Sequence, residues 1–171
     1  MTRRFVVALF CVAFVLILTL TSAVAQKNEI LNRQAPGFTL SGLDGSSVRF
    51  SDYRGKVILL DFWATWCAPC QTEVPRFVDF QNKFGAQGFQ VIGISMDDSS
   101  IPVRKFYAKF KMNYPVAMGT EQLARTYGGV LGLPLTFLIG RDGQVLKKYE
   151  SSADLDQMER DIAALLTPTP K

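Results

Sequence analysis

Two cysteines two residues apart, Cys67 and Cys70, stand where an apolar run gives way to a helical pattern, and that junction limits what the chain can fold into. The run Val57-Ile58-Leu59-Leu60-Asp61-Phe62-Trp63 is almost continuously apolar, as expected of a buried central strand. From Ala68 to about Phe84, Val74, Phe77, Val78 and Phe84 recur near helical spacing, and Gly85 and Gly88 end the segment. The cysteines thus fall at a strand-to-helix turn. Pro69 suits that turn, because a proline in the first helical turn loses no helical hydrogen bond.

Three readings of the pair can be weighed from composition. A structural zinc site needs four ligands. The 171-residue chain has no histidine, and its only other cysteine is Cys11, so zinc is excluded in practice. Covalent haem attachment needs a histidine after the second cysteine, and residue 71 is Gln. A purely structural disulfide would close too small a loop to stabilise much. Redox chemistry remains. Cys67, at the helix N-terminus, meets unpaired N–H groups and the positive end of the macrodipole, which lower a thiol pKa and make it the nucleophile. Cys70, one turn further in, resolves the mixed disulfide.

The N-terminus sets the compartment. Arg3 and Arg4 precede Phe5–Ala25, 21 residues without a charge that end in Ala23-Val24-Ala25. This pattern reads as a secretory signal cleaved after Ala25, with an uncleaved anchor as the alternative. Either way the remainder is exported. Cys11 lies inside the run. Without residues 1–25 the chain keeps 17 basic and 15 acidic residues, a net +2 that argues against nucleic acid as a partner. A disulfide-tolerant compartment with a single close-spaced pair points to redox work rather than scaffolding.

The rest of the chain reads as alternating strands and helices. Residues 26–33 are expected as a polar linker and 167–171 as a disordered tail. Phe38-Thr39-Leu40 and Val48-Arg49-Phe50 flank Asp44-Gly45 as a hairpin. Gln90–Ser95 reads as a second buried strand and Pro102–Phe110 as an amphipathic helix. Val116–Met118 is a short strand, and Glu121–Tyr127 a helix closed by Gly128-Gly129. Thr136–Ile139 and Gln144–Tyr149 form a hairpin across Arg141-Asp142-Gly143. A last helix, Asp154–Leu166, presents Leu155, Met158, Ile162 and Leu165 inward. The order implies an α/β domain with a mixed central sheet and helices on both faces.

Asp61-Phe62-Trp63-Ala64-Thr65-Trp66-Cys67-Ala68-Pro69-Cys70 resembles the active-site strand and helix of thioredoxin. With Ala35-Pro36-Gly37-Phe38-Thr39-Leu40 and Asp52-Tyr53-Arg54-Gly55-Lys56, the chain is similar to the extracytoplasmic TlpA/ResA-like thioredoxins over roughly 34–166. The resemblance implies a thioredoxin fold with an N-terminal β-hairpin extension and an inserted helix at Pro102–Phe110. It implies that Leu133-Pro134 is a cis-proline step whose backbone pairs with extended substrate, and that Trp66 adds an apolar contact surface. Leu135 replaces the Thr that often follows this proline, which leads us to expect a more apolar rim. Asp61 matches a buried acid that takes the proton from Cys70. Glu73 matches an acid of the cytochrome-maturation members, although a solvated first-turn Glu is the competing reading. Pro75 is expected to kink the helix.

The implied activity is protein-disulfide reduction without a cofactor or metal. The Ala-Pro dipeptide between the cysteines lacks the His of strong oxidants and so favours a reducing couple. Partners implied are disulfide-bearing clients such as apocytochrome c and a membrane thiol reductase as electron donor, with the chain itself a monomer. A general disulfide oxidase or isomerase stays open, as does a copper-binding module, although the family members that hold copper use a distant His. A peroxidase fits poorly: peroxiredoxins place Thr three residues before the reactive Cys and Pro further upstream, where this chain has Ala64 and Leu60.

Overall fold

The computed structural model describes residues 30–150 and 154–167. The expected signal or anchor at 1–25 and the tail after 167 lie outside the described residues.

Among the described residues, seven strands and four α-helices follow in order: β1 (Thr39–Ser41), β2 (Ser47–Arg49), β3 (Val57–Trp63), α1 (Ala68–Phe84), β4 (Phe89–Ser95), α2 (Ser100–Lys109), β5 (Val116–Met118), α3 (Glu121–Thr126), β6 (Leu135–Ile139), β7 (Val145–Glu150) and α4 (Leu155–Leu166). The main sheet has the order β5-β4-β3-β6-β7. β3 is central, parallel to β4 and antiparallel to β6. Every residue of β3 is buried, which is why its sequence shows no polar alternation.

Alternation survives as a division between two cores. Val57, Leu59 and Trp63 face α1, α2 and α4, where they meet Val74, Phe77, Phe80, Phe106, Met158 and Ile162. Ile58, Leu60 and Phe62 face the opposite side, packed with Leu123 of α3, Tyr127 and Val48 of the hairpin. Asp61 has the parity of Leu59 and Trp63, so its carboxyl enters the core beneath α1.

Helix boundaries follow local chemistry. Cys67 is the N-cap of α1, with Pro69 in its first turn. Thr120 caps α3 and Asp154 caps α4 by accepting backbone N–H groups through their side chains. Gly88, at φ 87°, occupies the left-handed region and turns the chain from the helix end into β4.

Two expectations need correction. Ile30–Arg33 is not linker: Asn32 N donates to Val145 O (2.8 Å), Val145 N donates to Arg33 O (2.9 Å), and Ile30 and Leu31 pack on the second core. Short polar segments are recruited when a sheet edge needs partners, and β7 supplies that edge. In α4, Met158 and Ile162 are buried and Leu155 and Leu165 pack partly buried against the same core, as expected, while Leu166, i+4 from Ile162, is buried beside them. Leu135 does not form a rim. It opens β6 opposite Phe62 and is buried in the second core, since a strand residue paired at the sheet centre turns its side chain inward.

Candidate active site

The Cys67–Cys70 pair sits where β3 delivers the chain into α1, and it is joined as a disulfide with Cα atoms 5.3 Å apart. The N-cap geometry brings the Cys70 backbone N–H to Cys67 Sγ at 3.3 Å. An N–H aimed at sulfur stabilises negative charge there, as the helix dipole does. Cys67 is 5% exposed and Cys70 only 1%. Trp66 beside them is 68% exposed.

The loop before Cys67 is held from β4. Asp97 accepts from Thr65 N (2.9 Å), Thr65 Oγ1 (2.5 Å) and Ser95 Oγ (2.8 Å). Sequence reasoning missed Asp97, because a contact across 32 positions leaves no spacing signal. Leu133-Pro134 is cis, as the resemblance implied, and Leu133 forms no backbone hydrogen bond among the described residues.

Two carboxyl groups, Asp61 of β3 and Glu73 of α1, are buried in the core that α1 covers. Asp61 Oδ1 accepts a hydrogen bond from Thr136 Oγ1 at 2.9 Å, across the β3–β6 pair. Burial and then the charge of Glu73 push Asp61 up to about 8, against the opposing Thr136 hydrogen bond. Burial alone pushes Glu73 up to about 7. Glu73 is therefore not the solvated first-turn acid of the competing reading: it is 4% exposed and continues the buried face of Cys70, Val74 and Phe77.

Gly93 of β4 pairs with Asp61 in register and leaves room on the same face. A Cβ there would stand 3.0 Å from Trp63 Nε1 and 3.2 Å from Val116 Cγ2, so the indole lies against bare backbone. Trp63 Nε1 and Tyr114 Oη are both buried without a partner among the described residues. Pro75 lies inside α1, as expected.

Comparison with known proteins follows this geometry. The model of the AhpC/TSA family matches residues 31–148. This chain belongs to the AhpC/TSA family. Within this family it resembles the thiol-disulfide oxidoreductase ResA of Bacillus thuringiensis subsp. konkukian, 33% identical over 78% of this chain and 77% of the relative. ResA of Bacillus subtilis is 32% identical over 88% of this chain and 84% of its own length. Among solved structures, a thiol:disulfide interchange protein of the thioredoxin family from Chlorobium tepidum superposes with a TM-score of 0.74 at 29% identity. It covers 80% of this chain and 97% of that one. The AhpC/TSA chain has the thioredoxin fold and is a thiol-disulfide oxidoreductase of the ResA type with a Cys67–Cys70 pair. The positions where a peroxidase would carry Thr and Pro are Ala64 and Leu60, both fully buried apolar residues.

Proposed function

We propose that this chain is an exported reductase of disulfides in extracytoplasmic proteins, apocytochrome c among them, recharged by a membrane thiol reductase. The observation that carries the reading is a redox-active pair at the head of α1 whose buried helix face also carries Glu73, within the core that takes the Asp61 carboxyl. As these two carboxyl groups ionise, from about pH 7 upward, their negative charge in the shared core disfavours the thiolate and opposes the helix N-terminus. A less stabilised thiolate makes a more reducing couple. The Phe5–Ala25 run supports export, and the ResA relatives support the substrate class.

In this mechanism a client strand pairs with the free backbone of Leu133 beside Pro134, with Trp66 against its side chains. The Cys67 thiolate attacks one client sulfur, the client S–S bond breaks, and the other client sulfur leaves as a thiolate. Asp61 then takes the proton from Cys70. Cys70 attacks Cys67 Sγ, the mixed disulfide breaks, and the client leaves as a dithiol. Two electrons have passed to the client, and the protein holds the Cys67–Cys70 disulfide. Glu73 tunes this step by competing with Asp61 for negative charge, so the pair titrates as a unit.

Two measurements test the reading. The reduction potential, from equilibration with glutathione, is expected nearer the thioredoxin value of about −270 mV than the strong-oxidant value of about −120 mV. A value at the oxidising end would favour a general disulfide oxidase. Cys70→Ser should accumulate mixed disulfides on Cys67 in cells, with apocytochrome c among the trapped clients by mass spectrometry. Trapping by Cys67→Ser instead would reverse the two roles.

A further inference from the structure

The pole opposite the disulfide carries an open cavity of about 620 Å³, between the loop before β3 and the β6–β7 turn. Arg54, Lys56 and Arg141 line it against one acid, Asp142. None of the three cations meets a carboxylate among the described residues, whereas Arg76, Lys83, Lys147 and Lys148 each hold one at 2.6 to 2.9 Å. The Arg54 guanidinium is exposed and has no partner among the described residues. Arg141 donates only to neutral groups, the Gly55 and Gln87 carbonyls at 3.1 and 3.0 Å, so its charge stays uncompensated. Lys56 lies over the Tyr53 ring, 5.8 Å from its centre. Half-buried Phe38, Phe50 and Tyr53 give the same cavity an aromatic wall.

The chain passes to this cavity from the apolar N-terminal run. Gln34 and Ala35 form one wall, tied to the β6–β7 turn by Ala35 N donating to Gly143 O (2.9 Å) and Gln34 Nε2 donating to Asp142 O (3.2 Å). Gly143 permits that closeness, since a Cβ there would meet Gln34 Oε1 at 2.8 Å. Between Ala25, the end of the run, and Ile30, where the described residues begin, stand Gln26-Lys27-Asn28-Glu29. Five steps of about 3.5 Å span at most about 17 Å. An apolar run left in the membrane therefore keeps the cavity close to the lipid surface. Attraction between Lys or Arg and anionic lipid acts over a Debye length of about 8 Å at physiological salt, so the two are within mutual reach.

Resting on the exported reading above, we propose that this basic cavity docks on the phosphate headgroups of anionic phospholipids while Phe5–Ala25 anchors the chain. Guanidinium and ammonium groups make charge-assisted hydrogen bonds to phosphate oxygens. Tyrosine suits the same depth, because its ring is apolar and its hydroxyl is wet at the headgroup level. Each unpaired Lys or Arg adds a small attraction, and the anchor makes docking intramolecular, so a weak surface is enough. Docking orients the redox centre. Lys56 precedes β3 and Cys67 follows it, and the seven residues of β3 rise on the order of 20 Å. The Cys67–Cys70 pair is then held away from the lipid, facing the aqueous compartment that holds soluble clients. A membrane donor must present its thiols at the same height.

The full chain is reconstituted into vesicles of phosphatidylcholine alone or with about one third phosphatidylglycerol, and amide hydrogen exchange over residues 51–56 is read by mass spectrometry. Exchange there is expected to slow about tenfold in the anionic vesicles and to recover in about 0.5 M salt. Arg54→Glu with Lys56→Glu should abolish the slowing, and Arg54→Lys should keep it. Equal exchange in the two vesicles, or slowing that survives the double reversal, overturns the docking. Slowing by soluble glycerol phosphate but not by phosphatidylglycerol makes the cavity a site for a free anion and overturns it too. A chain recovered from cells with Gln26 as its first residue removes the anchor and with it the docking, and leaves the reductase reading standing. Reduction of a peptide disulfide on the same vesicles is expected to be alike in both lipids and in the double variant, which also shows that the variant is folded. Its absence throughout, with the exchange difference present, fails the reductase reading and not the docking.

Discussion

Cys67→Ser is expected to bring disulfide exchange down to background, a loss on the order of 10³-fold or more, because nothing else in the site can form the mixed disulfide. Cys70 is a poor substitute. It is the more buried sulfur, it shares the buried face of α1 with Glu73, and its own backbone N–H is spent on Cys67 Sγ. The two thiols therefore differ in environment more than their adjacency suggests: one faces a donor and the helix N-terminus, the other shares a buried helix face with an acid. The variant should remain folded. Losing a disulfide that spans so few residues costs about 2 kcal/mol by loop-closure entropy, small beside the cores on both faces of the sheet. Stopped-flow fluorescence, with Trp66 exposed beside the pair, reads the exchange. Thermal unfolding checks the fold. Exchange through Cys70 at a rate near that of the unmodified protein would remove Cys67 as the nucleophile.

The elements that sequence periodicity revealed are those whose signals are local. α1 begins and ends at the expected residues because Cys67, Pro69 and Gly85 punctuate it within a few positions. β5 matches Val116–Met118, and the hairpins turn at Asp44-Gly45 and Asp142-Gly143 as the residues ask. Features set by tertiary pairing were less legible. Leu135 looked like a rim residue from its place after Pro134, but its pairing with Phe62 turns it into the core. Asp97 gave no local sign of its grip on Thr65. Glu73 was ambiguous as a first-turn acid, yet a signal was present: with Cys70, Val74 and Phe77 it falls on one helix stripe, and a carboxyl there must enter the core.

Asp61→Asn should change stability and rate in ways that pH separates. Asp61 is raised from its ordinary 3.8 to about 8 by burial and by Glu73. A carboxyl raised on folding favours the folded state fully below its unfolded pKa, and that advantage is lost as pH rises through about 8. The loss between pH 4 and pH 9 has an upper bound on the order of 5 kcal/mol. Asparagine keeps an oxygen for Thr136 Oγ1 but brings an amide N–H₂ into a core without a ready acceptor, at about 1–3 kcal/mol. The oxidised variant should thus be less stable than the parent near pH 5 and more stable near pH 9, by about 2 kcal/mol. Rate moves the other way. Asn cannot accept the Cys70 proton, so resolution of a preformed mixed disulfide should slow on the order of 10²-fold at pH 8. Attack by Cys67 should change far less. The parent's resolution rate should rise between pH 6 and 9 as the Asp61–Glu73 pair ionises, and the variant should lose the Asp61 part of that rise. Denaturant unfolding at the two pH values and single-turnover resolution across the range measure both. Crossing stability curves with an unchanged resolution profile would leave Asp61 a buried acid with no part in proton transfer. The two effects together would show that the group that destabilises the oxidised fold at high pH is the one that lets Cys70 release the client.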